Sequence, residues 1–217
     1  MKSVESGPQK ILDDLIQRYP VLAVCKKNIA EAYCLLRDCY HLGGKLLAAG
    51  NGGSAADAEH MVGELMKSFR KPRPLPASIQ QNLAATDPVW GTYLAKTLEQ
   101  PLPAIALVCH EALSTAFLND KDGKSVFAQQ LLGYGKKGDV FLGISTSGNS
   151  ENVIYAAVVA KAMGIAVIEL TGNHVGRLNQ FADISIRVPE VETFKIQELH
   201  LPVYHCLCLM LENYFLE

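Results

Sequence analysis

The stretch GDVFLGISTSGNSENV, residues 138–153, decides how the chain is read. The run Val140 to Ile144 is apolar, too short for a helix and too continuous for a half-exposed strand. Such a run reads as a strand buried on both faces. Ser145, Thr146, Ser147, Asn149 and Ser150 follow it, and a helical segment opens beyond them. A strand that passes through a polar loop into a helix is the repeating unit of a parallel sheet.

The same grammar recurs upstream in LLAAGNGGSAADAEHMVGEL, residues 46–65. A strand at Leu46–Ala49 runs into Gly50-Asn51-Gly52-Gly53-Ser54 and then into an amphipathic helix. Further short apolar runs at Ile105–Val108, Ala166–Leu170 and Ile184–Val188 alternate with amphipathic segments. The pattern predicts an α/β fold, a parallel sheet with helices on both faces and ligands beyond the carboxyl ends of its strands. Two helices, from about Gln9 to Tyr40 and broken at Pro20, precede the first strand. The long one is apolar around much of its circumference, which fits core packing or burial in a homo-oligomer. A closing helix is expected from about Thr193 to Phe215.

One segment departs from this alternation. ASIQQNLAATDPVWGTYLAKTLEQPL, residues 77–102, is far longer than the ~2–6 residues of a usual connection. Asp87-Pro88 has the signature of a cap for a short helix carrying Trp90, Tyr93, Leu94 and Leu98. Residues 78–102 therefore read as an insertion, a lid or an interface element.

With 217 residues, 49% of them hydrophobic, the chain can bury a full core in one domain. A net charge of −2 leaves no electrostatic footprint for nucleic acid or an anionic membrane. The one basic cluster, Lys67 to Arg73, reads as a solvated helix end. MKSVESGPQK lacks the apolar core of a signal peptide, and no run reaches the ~18 residues of a membrane span, so a cytoplasmic location is expected. Cys25, Cys34, Cys39, Cys109, Cys206 and Cys208 show no CxxC spacing and read as free, mostly buried thiols.

Both polar loops can bind an anion. In the first, backbone N–H groups and the positive end of the following helix converge, although a tight turn capped by Ser54 explains the glycines equally well. Gly50-x-Gly52-x-x-Ala55 also meets a lenient dinucleotide pattern, but Lys71-Pro-Arg-Pro-Leu-Pro stands where an acidic residue would be needed. In the second loop four hydroxyls, Ser145, Thr146, Ser147 and Ser150, sit beside helix-terminal amides with no Walker lysine. A capping turn accounts for one or two of them; four suit a phosphate monoester on a small molecule.

With AGNGGSAADAEH (49–60) and GDVFLGISTSGNSENVI (138–154) both in view, the chain resembles the SIS (sugar isomerase) domain family and, within it, the phosphoheptose isomerases. The likeness covers most of residues 43–217. It implies a three-layer α/β/α sandwich with a five-stranded parallel sheet, preceded by N-terminal helices, residues 1–42, that assemble tetramers. The implied activity converts sedoheptulose 7-phosphate to D-glycero-D-manno-heptose 7-phosphate through an enediol. Implied substrate contacts fall on Asn51, Gly52 and Gly53, with Ser54 beside them, on Asn119 and Asp120, on Ser145, Thr146, Ser147 and Ser150, and on Gln197. Glu64 and His205 become the acid/base pair, and His60, Glu64, Gln197 and His205 a set able to bind zinc.

The residues themselves say less. His60 and Glu64, at i and i+4, share one helix face, a spacing more often found in surface pairs than in catalytic ones. Gln197 and His205 fall near one stripe of the closing helix if Pro202 neither kinks it nor marks its start. Taken alone, His205 in the run Val203 to Leu211 would be a core histidine. Isomerisation needs a base, an acid and a hold on two oxygens, which a carboxylate and an imidazole on opposed helices can supply. The insertion, and Phe194-Lys195 where an acidic and a basic residue often stand in the family, leave the sugar open. A hexulose-phosphate isomerase or a deaminating amino-sugar isomerase is the nearest enzymatic alternative. The other is a non-catalytic SIS protein that senses a phosphosugar or associates with a replication initiator. The relative of that second kind lacks the counterparts of Glu64 and His205.

Overall fold

A computed structural model describes residues 4–216. Helix α1 (Ser6–Arg18) stops at Pro20, whose ring starts a 3₁₀ turn, Pro20–Cys25, and α2 (Lys26–His41) follows. Strand β1 (Leu46–Ala49) leads into α3 (Gly53–Met66), then come α4 (Ala77–Thr86), α5 (Trp90–Thr97), β2 (Ala104–Ala106), α6 (Glu111–Asp120) and α7 (Val126–Tyr134). Strand β3 (Val140–Ile144) runs into α8 (Glu151–Ala162), and β4 (Ala166–Thr171), β5 (Ile184–Arg187) and α9 (Thr193–Phe215) complete the fold.

The five strands are all parallel, in the order β2-β1-β3-β4-β5. Because side chains alternate across a strand, Leu46, Ala48, Val140, Leu142 and Ile144 face a layer that includes α1, α2, α3 and α9. Leu47, Ala49, Phe141 and Val167 face the opposite layer, α7 and α8. This is the three-layer α/β/α sandwich. Leu12 and Leu15 of α1 are 1% and 0% exposed in the first layer, so the N-terminal helices share its core. Removing each such side chain from water contributes about 1.5–3 kcal/mol. The chain turns left from β1 to β2 and right to β3, so the switch point lies between β1 and β3. The loops after those two strands are the glycine and hydroxyl loops, where open sheets of this kind bind ligands.

Three expectations need correction. The second strand is shorter and earlier than Ile105–Val108, because Leu107 leaves the ladder after donating its N–H to the Ala48 carbonyl (2.8 Å). Arg73 is not part of a solvated helix end: α3 stops at Met66, and the Arg73 side chain is 0% exposed. Nor does Ser54 cap α3, since Gly52 holds the N-cap at φ +55°, a left-handed conformation that glycine adopts without strain. Pro202 lies inside α9, which runs unbroken from Gln197 to His205. The segment expected as an insertion forms a hairpin of α4 and α5, with Asp87 Oδ1 accepting from the Val89 and Trp90 N–H groups as the cap signature suggested. None of the six cysteines forms a disulfide with another, and all but Cys109 are buried.

Candidate active site

The hydroxyl loop folds on itself before any ligand is considered. Gly148, at φ +66°, turns the chain so tightly that its N–H donates to the Ser145 carbonyl (3.0 Å). Ser145 and Ser150 share a hydrogen bond between their hydroxyls (3.0 Å), and Ser147 Oγ accepts from the Asn149 N–H (3.1 Å). Asn149 Oδ1 in turn accepts from the Arg177 N–H, tying the loop to the segment after β4. Ser147 and Asn149 stay exposed, Thr146 and Ser150 half-buried, at the amino end of α8 and its dipole.

The glycine loop is joined to this one by a residue the motif reading passed over. Asn51 and Asn152 exchange amide hydrogen bonds in both directions, at 2.9 and 2.8 Å. Asn152 lies in the first turn of α8, two positions past the serine run, and only its amide chemistry hinted at such a role. Gln197 joins from α9: a Cβ on Gly53 would lie 2.5 Å from Gln197 Nε2. Glycine is therefore required there for the amide to lie against the loop. Ser54 is buried inside α3 and presents no open hydroxyl. Asn119 and Asp120 are exposed at the end of α6 and bonded to each other (2.8 Å). The turn after them is tied to the first residue of α8 by the Lys124–Glu151 ion pair.

His60, Glu64 and His205 come together between α3 and α9. His60 Nε2 lies 3.3 Å from Glu64 Oε1, and Lys67 Nζ donates to Glu64 Oε2 (3.1 Å). The other nitrogen of His60 is 3.0 Å from the Tyr204 hydroxyl. The rings of His60 and His205 meet edge to face at 4.9 Å, and Phe69 leans on His205 at 5.2 Å. His205 Nε2 is buried without a hydrogen-bond partner. Burial and the neighbouring His60 hold the His205 imidazole below its ordinary pKa, against the pull of Glu64, which favours the neutral ring. Burial likewise pushes the Asp57 carboxyl, one turn before His60, up to about 6, with the Tyr204 hydroxyl and His60 opposing. A cavity of about 140 Å³, lined by Arg18, Tyr19, Phe69 and Leu201 among others, opens beside His205.

Imidazoles and carboxylates are the right donors for zinc. As arranged, however, they do not fit it: His60 is engaged through both ring nitrogens and Glu64 through both oxygens. Among the described residues no three histidine, cysteine, aspartate or glutamate side chains are grouped to hold a metal ion.

Comparison with known proteins shows the family. The SIS domain matches residues 90–172. The phosphoheptose isomerase of Rhodospirillum rubrum is 36% identical over 192 residues, 88% of each chain, and that of Shewanella pealeana is 38% identical over 84% of this chain and 81% of its own. The structure of a phosphoheptose isomerase from Francisella tularensis superimposes with a TM-score of 0.73 at 31% identity, covering 94% of this chain and 95% of that one. The corresponding structure from Neisseria gonorrhoeae gives 0.70 at 31% identity, covering 92% and 94%. The chain belongs to the phosphoheptose isomerase family.

Proposed function

We propose that this member of the family interconverts sedoheptulose 7-phosphate and D-glycero-D-manno-heptose 7-phosphate, with Glu64 and His205 as its proton-transfer groups. The observation that carries the residue roles is the meeting of a carboxylate and a neutral imidazole, from two different helices, on the layer that also holds Gln197. The phosphate rests on Ser145, Thr146, Ser147 and Ser150 with the amino end of α8, and Asn51, Gly52, Gly53 and Gln197 hold the sugar hydroxyls; Asn119 and Asp120 complete the contact set.

In the ketose-to-aldose direction the Glu64 carboxylate takes a proton from C1, and the electron pair moves into the C1–C2 bond and onto O2. The enediol forms as O2 gains a proton. Glu64 then returns its proton to C2 while the O1 hydroxyl proton is lost, leaving an aldehyde at C1. A neutral imidazole can give a proton through one nitrogen and take one through the other, so His205 serves O2 and O1 without a net change of charge. Lys67 Nζ donates to Glu64 Oε2 and so fixes the orientation of the carboxylate. No step is routed through a metal. The same reading takes the enzyme as cytoplasmic, consistent with six cysteines that form no disulfide among themselves and with a phosphorylated substrate. It also takes it as a homotetramer, for which exposed Val21, Val24, Val89 and Trp90 offer apolar surface.

The test is incubation with sedoheptulose 7-phosphate in deuterated buffer, followed by NMR. Aldose formation with deuterium at C2, acquired when the proton on Glu64 exchanges with solvent at the enediol stage, supports the enediol route. Binding of the phosphosugar without product or exchange overturns it in favour of a non-catalytic phosphosugar-binding protein.

A further inference from the structure

Helix α3 ends at Met66, two residues after Glu64 and six after His60, and the last carbonyls of a helix have no partner within it. Here a side chain from outside the helix takes them. Arg73 Nη1 donates to the Leu65 carbonyl (2.7 Å) and Nη2 to the Glu64 carbonyl (3.1 Å). Arg73 Nε donates to Glu212 Oε1 (3.0 Å), and the two charged groups are 0% and 2% exposed. The Glu212 carboxylate also accepts from the Phe69 N–H (2.8 Å) and the Arg70 N–H (3.0 Å). Phe69 is the residue whose ring lies against His205. Glu212 itself stands seven residues beyond His205 on α9, two turns along the same stripe.

One buried ion pair thus holds the backbone of Glu64, the residue packed on His205, and the helix that carries His205. Stability alone does not account for it, because a buried pair replaced by apolar residues of similar size often loses nothing. Proton transfer is more demanding, since a displacement of about 1 Å costs about 100-fold in rate.

We propose that Arg73 and Glu212 are positioning residues that set the separation of Glu64 and His205; this rests on the isomerase reading above. Neither touches the substrate. Both act through the helix ends they join.

The test compares Arg73→Met/Glu212→Leu, which replaces the pair with apolar side chains, with Glu212→Gln, which keeps an acceptor oxygen. Melting temperature, KM and kcat for sedoheptulose 7-phosphate are measured for each. The proposal expects a folded double variant with KM near that of the parent and kcat lowered about 100-fold, and a smaller loss, about 10-fold, in Glu212→Gln. A folded double variant with the parent's kcat overturns it, as does unfolding of both variants, which would make the pair a requirement of folding alone. Ring NMR signals of His205 give a readout without turnover. If the parent protein fails to isomerise the sugar, the functional reading falls. The positioning role then stands if those signals shift in the double variant and falls if they do not.

Discussion

Around the Ser145–Ser150 loop, the groups facing a ligand are hydroxyls and amides fixed by short-range backbone turns and by the Asn51–Asn152 amide pair. Between α3 and α9 they are ionisable side chains on the faces of two helices, fixed by packing and by bonds between residues more than a hundred positions apart, such as His60 with Tyr204. On the proposed reading, the loop end is preorganised for a charge that does not change during reaction, and the helix end is organised around protons that do move. Damage to the first should therefore appear in affinity, and damage to the second in rate.

The largest expected effect tests the helix end. Glu64→Gln should lower kcat by about 10³-fold or more while the dissociation constant for the phosphosugar stays within about threefold, by steady-state kinetics and calorimetry. A full turnover rate would break the division between the two ends. Next comes the loop. Ser147→Ala with Ser150→Ala removes hydroxyls that would bond a charged phosphate, at about 1.5–3 kcal/mol each, so binding should weaken about 100-fold or more. At saturating sugar, kcat should change little; a collapse of kcat would mean that the loop also sets the geometry of proton transfer.

The smallest effect separates the two ends by acid. His200, fully buried beside Thr171, is held down to about 4 by burial, with the Thr171 backbone opposing. It stays neutral in the fold and takes a proton in the unfolded chain below about 6.5, so stability is lost as pH falls from there toward 4. Asp57 works the other way: the fold keeps a proton that the unfolded chain gives up above about 3.8, so its contribution shrinks as pH rises from there toward 6. Asp57→Asn should therefore gain stability on the parent by about 1.4 kcal/mol per pH unit between pH 4 and 6, read by urea unfolding. A constant difference across that range would mean that the Asp57 carboxyl titrates alike in the fold and the unfolded chain.

The sheet was legible because strands buried on both faces must be continuous apolar runs, and four of the five fell within about a residue of their expected limits. Where Leu107 and Val108 continued the apolar pattern beyond the ladder, hydrophobicity could not mark the exit from the sheet. The polar loops were legible for a related reason: glycine and clustered hydroxyls constrain the backbone locally, and Gly148 and Ser150 do what their residue types suggest. Contacts across long stretches of chain left no trace in spacing. Nothing near Arg73 marks it as buried, because its partner Glu212 is 139 positions away. Tyr204 looked like one more apolar position of α9, yet its hydroxyl holds His60. Asn152 was overshadowed by the serines before it.

The α4–α5 hairpin carries a consequence of another kind. Gly91 is its single buried helical residue, seated where a Cβ would strike the Leu83 carbonyl, and the chain enters and leaves through one antiparallel bridge between Pro74 and Glu99. With its two ends already side by side, the arm can melt and re-form as a unit of its own while the sandwich stays intact. Its amide hydrogens would then exchange with solvent at a local cost, and it is the place where a segment of different length or sequence can be grafted onto this scaffold without disturbing the core.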